Sequence, residues 1–83
     1  MSECFICHTT ANLERHHIYG GRNRKISERL GLVVYLCREH HTGGAGVHFN
    51  AVLMQDLHEW GQIEFEKSHT REEFMAAIGR NYL

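Results

Sequence analysis

Two short strings in this sequence have the spacing of metal ligands: Cys4-Phe-Ile-Cys7-His8 near the start and Cys37-x-x-His40 further on. A C-x-x-C-H string can anchor a c-type haem, with the thiols on the macrocycle and the His on iron. It can equally be half of a zinc site whose other half lies downstream. Haem of that type is attached outside the cytoplasm, and "MSECFICHTT" has neither the basic flank nor the apolar stretch of an export signal. The second Cys/His pair that zinc demands is present. The spacing therefore predicts one tetrahedral structural Zn2+ site from Cys4, Cys7, Cys37 and His40, and no haem. Three cysteines cannot form a closed set of disulfides. A cytoplasmic chain would keep them reduced, as thiolate ligands require. At 83 residues the chain is near the lower limit for a self-sufficient apolar core, where a metal adds stability.

Eight residues are His, and five of them fall at His16-His17, His40-His41 and His48. On a strand, adjacent side chains point to opposite faces. His16 and His17 are thus expected to take different roles, one binding a metal and the other acting as a base. Seven residues of continuous helix would hold His41 and His48 roughly 10 Å apart. They can share a metal only if "TGGAG" at 42–46 folds the chain back; otherwise one of them is a bystander. His58 and His69 read as ordinary surface histidines, on a polar helix face and at a helix junction. His8 reads as a neighbour of the zinc site rather than a ligand.

The elements that must position these groups form one α+β domain over 1–83, with a core over 1–50 and a helical extension over 51–83. Residues 4–10 form a metal knuckle, "LERHHIY" at 13–19 a strand, and "GGRNRKISERLG" a polar loop with room for one helical turn. "LVVYLC" at 32–37 is β-branched and aromatic and reads as the second strand. Residues 38–42 start a helix that the glycines interrupt. From Val47 to about Ser68, Phe49, Val52, Leu53, Leu57 and Trp60 make one apolar stripe, extended by Ile63 and Phe65, with Gly61 as an irregularity. "TREEFMAAIG" then predicts a short C-terminal helix with a Thr70/Glu73 capping box and a Gly79 stop.

The net charge is −1, yet residues 15–38 hold six basic side chains against Glu28 alone, a local +5. Residues 39–83 hold seven acids against Lys67, Arg71 and Arg80, a local −4. Ordinary surface variation and a patch for a polyanion are both open readings. The longest apolar run, Leu32–Cys37, is too short to span a bilayer, so a cytoplasmic protein without membrane contact is expected.

The knuckle pairs, the His16-His17 pair and a His directly behind the second knuckle together resemble the HNH endonuclease family, over Cys4 to about Asn50. The resemblance implies a ββα-metal, treble-clef-like core in which a hairpin packs against a helix around one catalytic cation (Mg2+, Mn2+, Ni2+ or Zn2+), beside a structural zinc. It implies His16, His41 and His48 as ligands of that cation and His17 as the general base. The substrate would be DNA, with Arg22, Arg24, Lys25 and Arg29 as phosphate contacts. Small nucleases of this look occur in phages, which would place the protein in a host cytoplasm. The family's middle Asn position falls here on Leu32, with Asn23 the nearest substitute in the loop. That departure supports the alternative, a catalytically silent zinc module that binds nucleic acid. A third reading is a zinc-stabilised interaction domain using the acidic helices and the terminal "GRNYL".

Overall fold

The computed structural model describes residues 2–44 and 46–83. Strand β1 (Leu13–His17) pairs antiparallel with β2 (Val33–Cys37), Leu13 opposite Cys37 and His17 opposite Val33. The connection between them contains a 3-10 turn at Gly21–Asn23 and helix α1 (Arg24–Arg29), so the loop holds more helix than the single turn expected. Helix α2 (Arg38–His41) follows β2 at once, and a second 3-10 turn covers Val47–Phe49. The long helix α3 (Ala51–Glu66) and the short α4 (Arg71–Ile78) complete the chain. Knuckle, hairpin, helix, helix is the order the sequence predicts.

The two strands are shorter than their apolar runs because Ser27 takes over their ends. Ile18 N–H still donates to Leu32 O (3.1 Å), but Tyr19 N–H turns to the Ser27 hydroxyl (3.3 Å). That hydroxyl in turn donates to Leu32 O, and Leu32 N–H donates to Ser27 O (2.8 Å). Tyr19 therefore leaves the ladder, and Ile18, Tyr19 and Leu32 all stay buried, in the core with Val34, Leu36, Val47, Leu57, Phe65, Phe74 and Ile78.

Helix α3 starts later than Val47 because Asn50 caps it, its side chain accepting from Leu53 N–H (3.1 Å). Its buried face also differs from the expected stripe. Phe49 and Val52 are each 72% exposed and Ile63 49%, whereas Leu57, Gly61, Gln62 and Phe65 are buried. Contact with Ile18 and Tyr19 sets this rotation. A side-chain carbon at Gly61 would lie 2.7 Å from the Tyr19 hydroxyl and 2.9 Å from Ile18 Cγ2, so only glycine admits the approach. Gly61 is a packing site rather than an irregularity. The expected capping box of α4 is present, with Gly79 in the left-handed conformation (φ 89°) closing the helix. The terminal segment folds back onto α3: Tyr82 N–H donates to Gln62 Oε1 (2.7 Å), and Gln62 Nε2 donates to Asn81 Oδ1 (2.8 Å). Among the described residues, no helix is long and apolar enough to cross a membrane.

Candidate metal centres and the basic cleft

The knuckle at Cys4–Cys7 is a tight turn pinned by Cys4 N–H to Thr9 O (2.8 Å) and His8 N–H to Cys4 O (2.9 Å). Phe5 N–H reaches the edge of β2 at Tyr35 O (2.9 Å), which carries the two thiols to the end of the sheet where Cys37 leads into α2. Ligand atoms of Cys4, Cys7, Cys37 and His40 all lie within 4.8 Å of one another. The Cys7 and Cys37 sulfurs are 3.8 Å apart, and His40 Nδ1 is 3.8 Å from Cys4 Sγ and 3.2 Å from Cys37 Sγ. Tetrahedral zinc with bonds of about 2.3 Å to sulfur would space its sulfurs about 3.8 Å apart. The cluster could therefore hold zinc. Burial alone would raise the Cys4 thiol, but N–H groups of Cys7, Cys37 and Ile6 outweigh it and hold the group down at about 6. His8 stands outside, exposed, bonded to Glu3 at 3.0 Å.

The second cluster joins β1 to the chain beyond α2. His16, His41 and His48 offer ligand nitrogens within 4.8 Å of one another, with ring centroids 5.0–5.5 Å apart. Gly43 and Gly46 bring the chain back toward His41, while Ala45 between them lies outside the described residues. Gly46 N–H donates to Gly43 O (2.9 Å), and a side-chain carbon at Gly46 would sit 2.5 Å from His41 O. His16 is buried, and its Nε2 is a buried side-chain nitrogen without a hydrogen-bond partner among the described residues. An unmet buried nitrogen costs about 1–3 kcal/mol, and coordination to a cation is one way to meet it. Burial, reinforced by the rings of His41 and His48, holds His16 down at about 4, leaving the neutral imidazole that a metal needs. His41 Nδ1–H donates to Glu14 Oε1 (2.8 Å), fixing that ring and leaving Nε2 for a cation.

His17, next to His16 on β1, is held by a different partner. Its Nε2–H donates to Glu28 Oε2 (2.7 Å) on α1, and Glu28 is also gripped by Arg15 through Nε (3.2 Å) and Nη2 (2.8 Å). The Arg15 hydrogen bonds, then that of His17, hold the Glu28 carboxyl below its ordinary range. A cleft of about 490 Å³ brings His16, His17, His41 and His48 to one surface, and Arg15, His17 and Arg24 line both it and a second cleft with Lys25, Glu28 and Arg29. Arg24, Lys25 and Arg29 thus meet beside His17. Arg22 lines neither cleft and has its guanidinium near Gly79, at the end of α4.

Three participants were not expected from the sequence: Ser27, Glu28 and His58. His58 is half-buried rather than on a polar face. It lines the cleft, stacks on Tyr19 (centroids 5.5 Å apart, 20° between planes), and is pushed down by burial. Asn23 donates to Ile78 O (3.0 Å), bracing α4 rather than the hairpin. At Leu32 the bracing is done by Ser27. In comparisons with protein-family models, curated proteins and solved structures, no family, protein or structure matches this chain.

Proposed function

We propose that this protein is a metal-dependent DNA endonuclease of HNH type, with β1, β2 and α2 as its ββα-metal core. The observation that carries the reading is the buried His16 Nε2, without a hydrogen-bond partner among the described residues and grouped with His41 and His48, with His17 at the same cleft. A structural zinc or a surface cluster alone would not need a second set of three converging imidazoles.

In this reading His16, His41 and His48 hold one divalent cation. When bound, it supplies positive charge to the scissile phosphate and to the departing 3′-oxygen, and three protein ligands leave coordination positions open. His17 takes a proton from the attacking water as the new P–O bond forms and the bond to the 3′-oxygen breaks. The departing 3′-oxygen takes a proton from solvent water, so the products are 5′-phosphate and 3′-hydroxyl ends. Arg24, Lys25 and Arg29 contact neighbouring phosphates, giving affinity without sequence readout. Arg22, further round the surface, would contact a longer duplex. The zinc of Cys4, Cys7, Cys37 and His40 ties the knuckle to the end of the hairpin and takes no part in the chemistry.

The binding-module alternative draws on Leu32. What supports the nuclease reading against it is that Ser27 hydrogen bonds join the strand ends without an asparagine. The test is nicking of supercoiled plasmid by zinc-loaded protein with added divalent cation. Nicks that DNA ligase reseals are expected, since resealing requires 5′-phosphate and 3′-hydroxyl ends. DNA retardation without nicking under any cation would select the binding module.

A further inference from the structure

Glu28 is the single acid among the six basic residues of the 15–38 stretch, and it stands where a polyanion would bind. Its placement calls for a reason other than phosphate affinity. We propose that Glu28 is the positioning residue of the general base: it receives the Nε2–H of His17 and so makes Nδ1 the nitrogen that accepts the proton of water. The inference rests on the nuclease reading above.

The argument begins with proton inventory. An ionised carboxylate only accepts, so at 2.7 Å from Glu28 Oε2 the His17 Nε2 must be the protonated nitrogen. A neutral imidazole has one N–H, and its lone pair is then on Nδ1. The carboxylate is itself held in place. Arg15 grips it with two N–H groups, and Arg15 Nη1 donates to the Tyr35 hydroxyl (3.2 Å) across the sheet. The His17 side chain is only 12% exposed, so water competes weakly for its ring, whereas Glu28 is 49% exposed and reaches in from α1. During reaction the water proton passes to Nδ1, and the Nε2 proton stays on the ring. The imidazolium that forms then faces a full negative charge.

A purely electrostatic role makes the opposite prediction. An acid in a basic cleft opposes DNA, so removing it should tighten binding and leave turnover alone. As a positioning residue, Glu28→Ala should lower kcat by roughly tenfold or more, the kind of loss that follows removal of a ring-orienting carboxylate. KM for DNA should stay level or fall. Glu28→Gln should recover most of the turnover. Its carbonyl oxygen in the Oε2 place can accept from both His17 Nε2–H and Arg15 Nε–H at the loss of the Arg15 Nη2–H bond to the Oε1 place, while the flipped amide would set its NH2 against two donors instead of one.

The experiment pairs plasmid-nicking kinetics with long-range proton–nitrogen NMR of the imidazoles, on zinc-loaded wild type, Glu28→Ala and Glu28→Gln. The spectra are recorded at about pH 8, above the ordinary imidazole range. The expected result is the Nε2–H tautomer of His17 in wild type and Glu28→Gln, a mixture in Glu28→Ala, and a kcat loss much larger in Glu28→Ala than in Glu28→Gln. An Nδ1–H tautomer in wild type overturns the inference. So does wild-type nicking together with an unchanged kcat in Glu28→Ala, which leaves the nuclease reading standing. A wild type that nicks under no divalent cation overturns both.

Discussion

The Ser27 hydroxyl, fully buried, joins the end of β1 to the start of β2 by accepting from Tyr19 N–H and donating to Leu32 O. Ser27→Ala would leave the Tyr19 N–H without that acceptor in a buried setting. We expect a loss of about 1–3 kcal/mol, read from urea denaturation of the zinc-loaded protein; an unchanged midpoint would show that the hydroxyl is dispensable. At this scale the residues legible in the sequence are those whose spacing is local: the two Cys/His pairs and His16-His17. Ser27, Glu28 and His58 were not legible. Their partners lie 8, 11 and 39 residues away at Tyr19, His17 and Tyr19 again, and tertiary packing alone makes those pairs.

Helix α3 shows the same limit for an element. Its existence follows from the apolar stripe, but its start is moved from Val47 by the Asn50 cap and its rotation is decided by the close approach of Gly61 to Ile18 and Tyr19. A pattern of apolar residues cannot show that a glycine marks the buried face. Gly61→Ala sets two effects in opposition: a gain in helix propensity of about 1 kcal/mol and an overpacking cost of about 1–3 kcal/mol. A net loss of stability is expected, because the added carbon would meet the Tyr19 hydroxyl at 2.7 Å. A stabilised Gly61→Ala in thermal unfolding would mean that α3 can move freely away from Ile18 and Tyr19. Helix α1 makes its own prediction, since Arg24, Lys25 and Arg29 share one cleft with His17. Neutralising any one should weaken binding to unrelated DNA sequences alike and reduce the slope of log affinity against log salt by about one. A changed cutting preference at constant slope would instead mean base readout.

For the molecule as a whole, the described residues hold two clusters that could each bind a metal ion, and the two differ in what their loss should do. The Cys4, Cys7, Cys37 and His40 cluster ties the N-terminal knuckle to α2, so Cys37→Ser or strong chelation should unfold the chain. A chelated protein with an unchanged circular dichroism spectrum and melting curve would contradict that structural role. The His16, His41 and His48 cluster should instead be separable from folding. The α+β order and the zinc spacing were legible in the sequence, while the meeting of His41 with His48 depended on a glycine turn that periodicity could only permit. The most direct measurement is plasmid nicking across a titration of divalent cation by wild type, His16→Ala and His17→Ala, each shown to be folded and zinc-loaded. Wild type should nick, and His16→Ala should recover in part as the cation is raised, because it has lost a ligand. His17→Ala should stay slower by on the order of a hundredfold or more at every concentration, because it has lost the base. Nicking by His17→Ala at the wild-type rate, or no nicking by wild type with any divalent cation, would contradict the account.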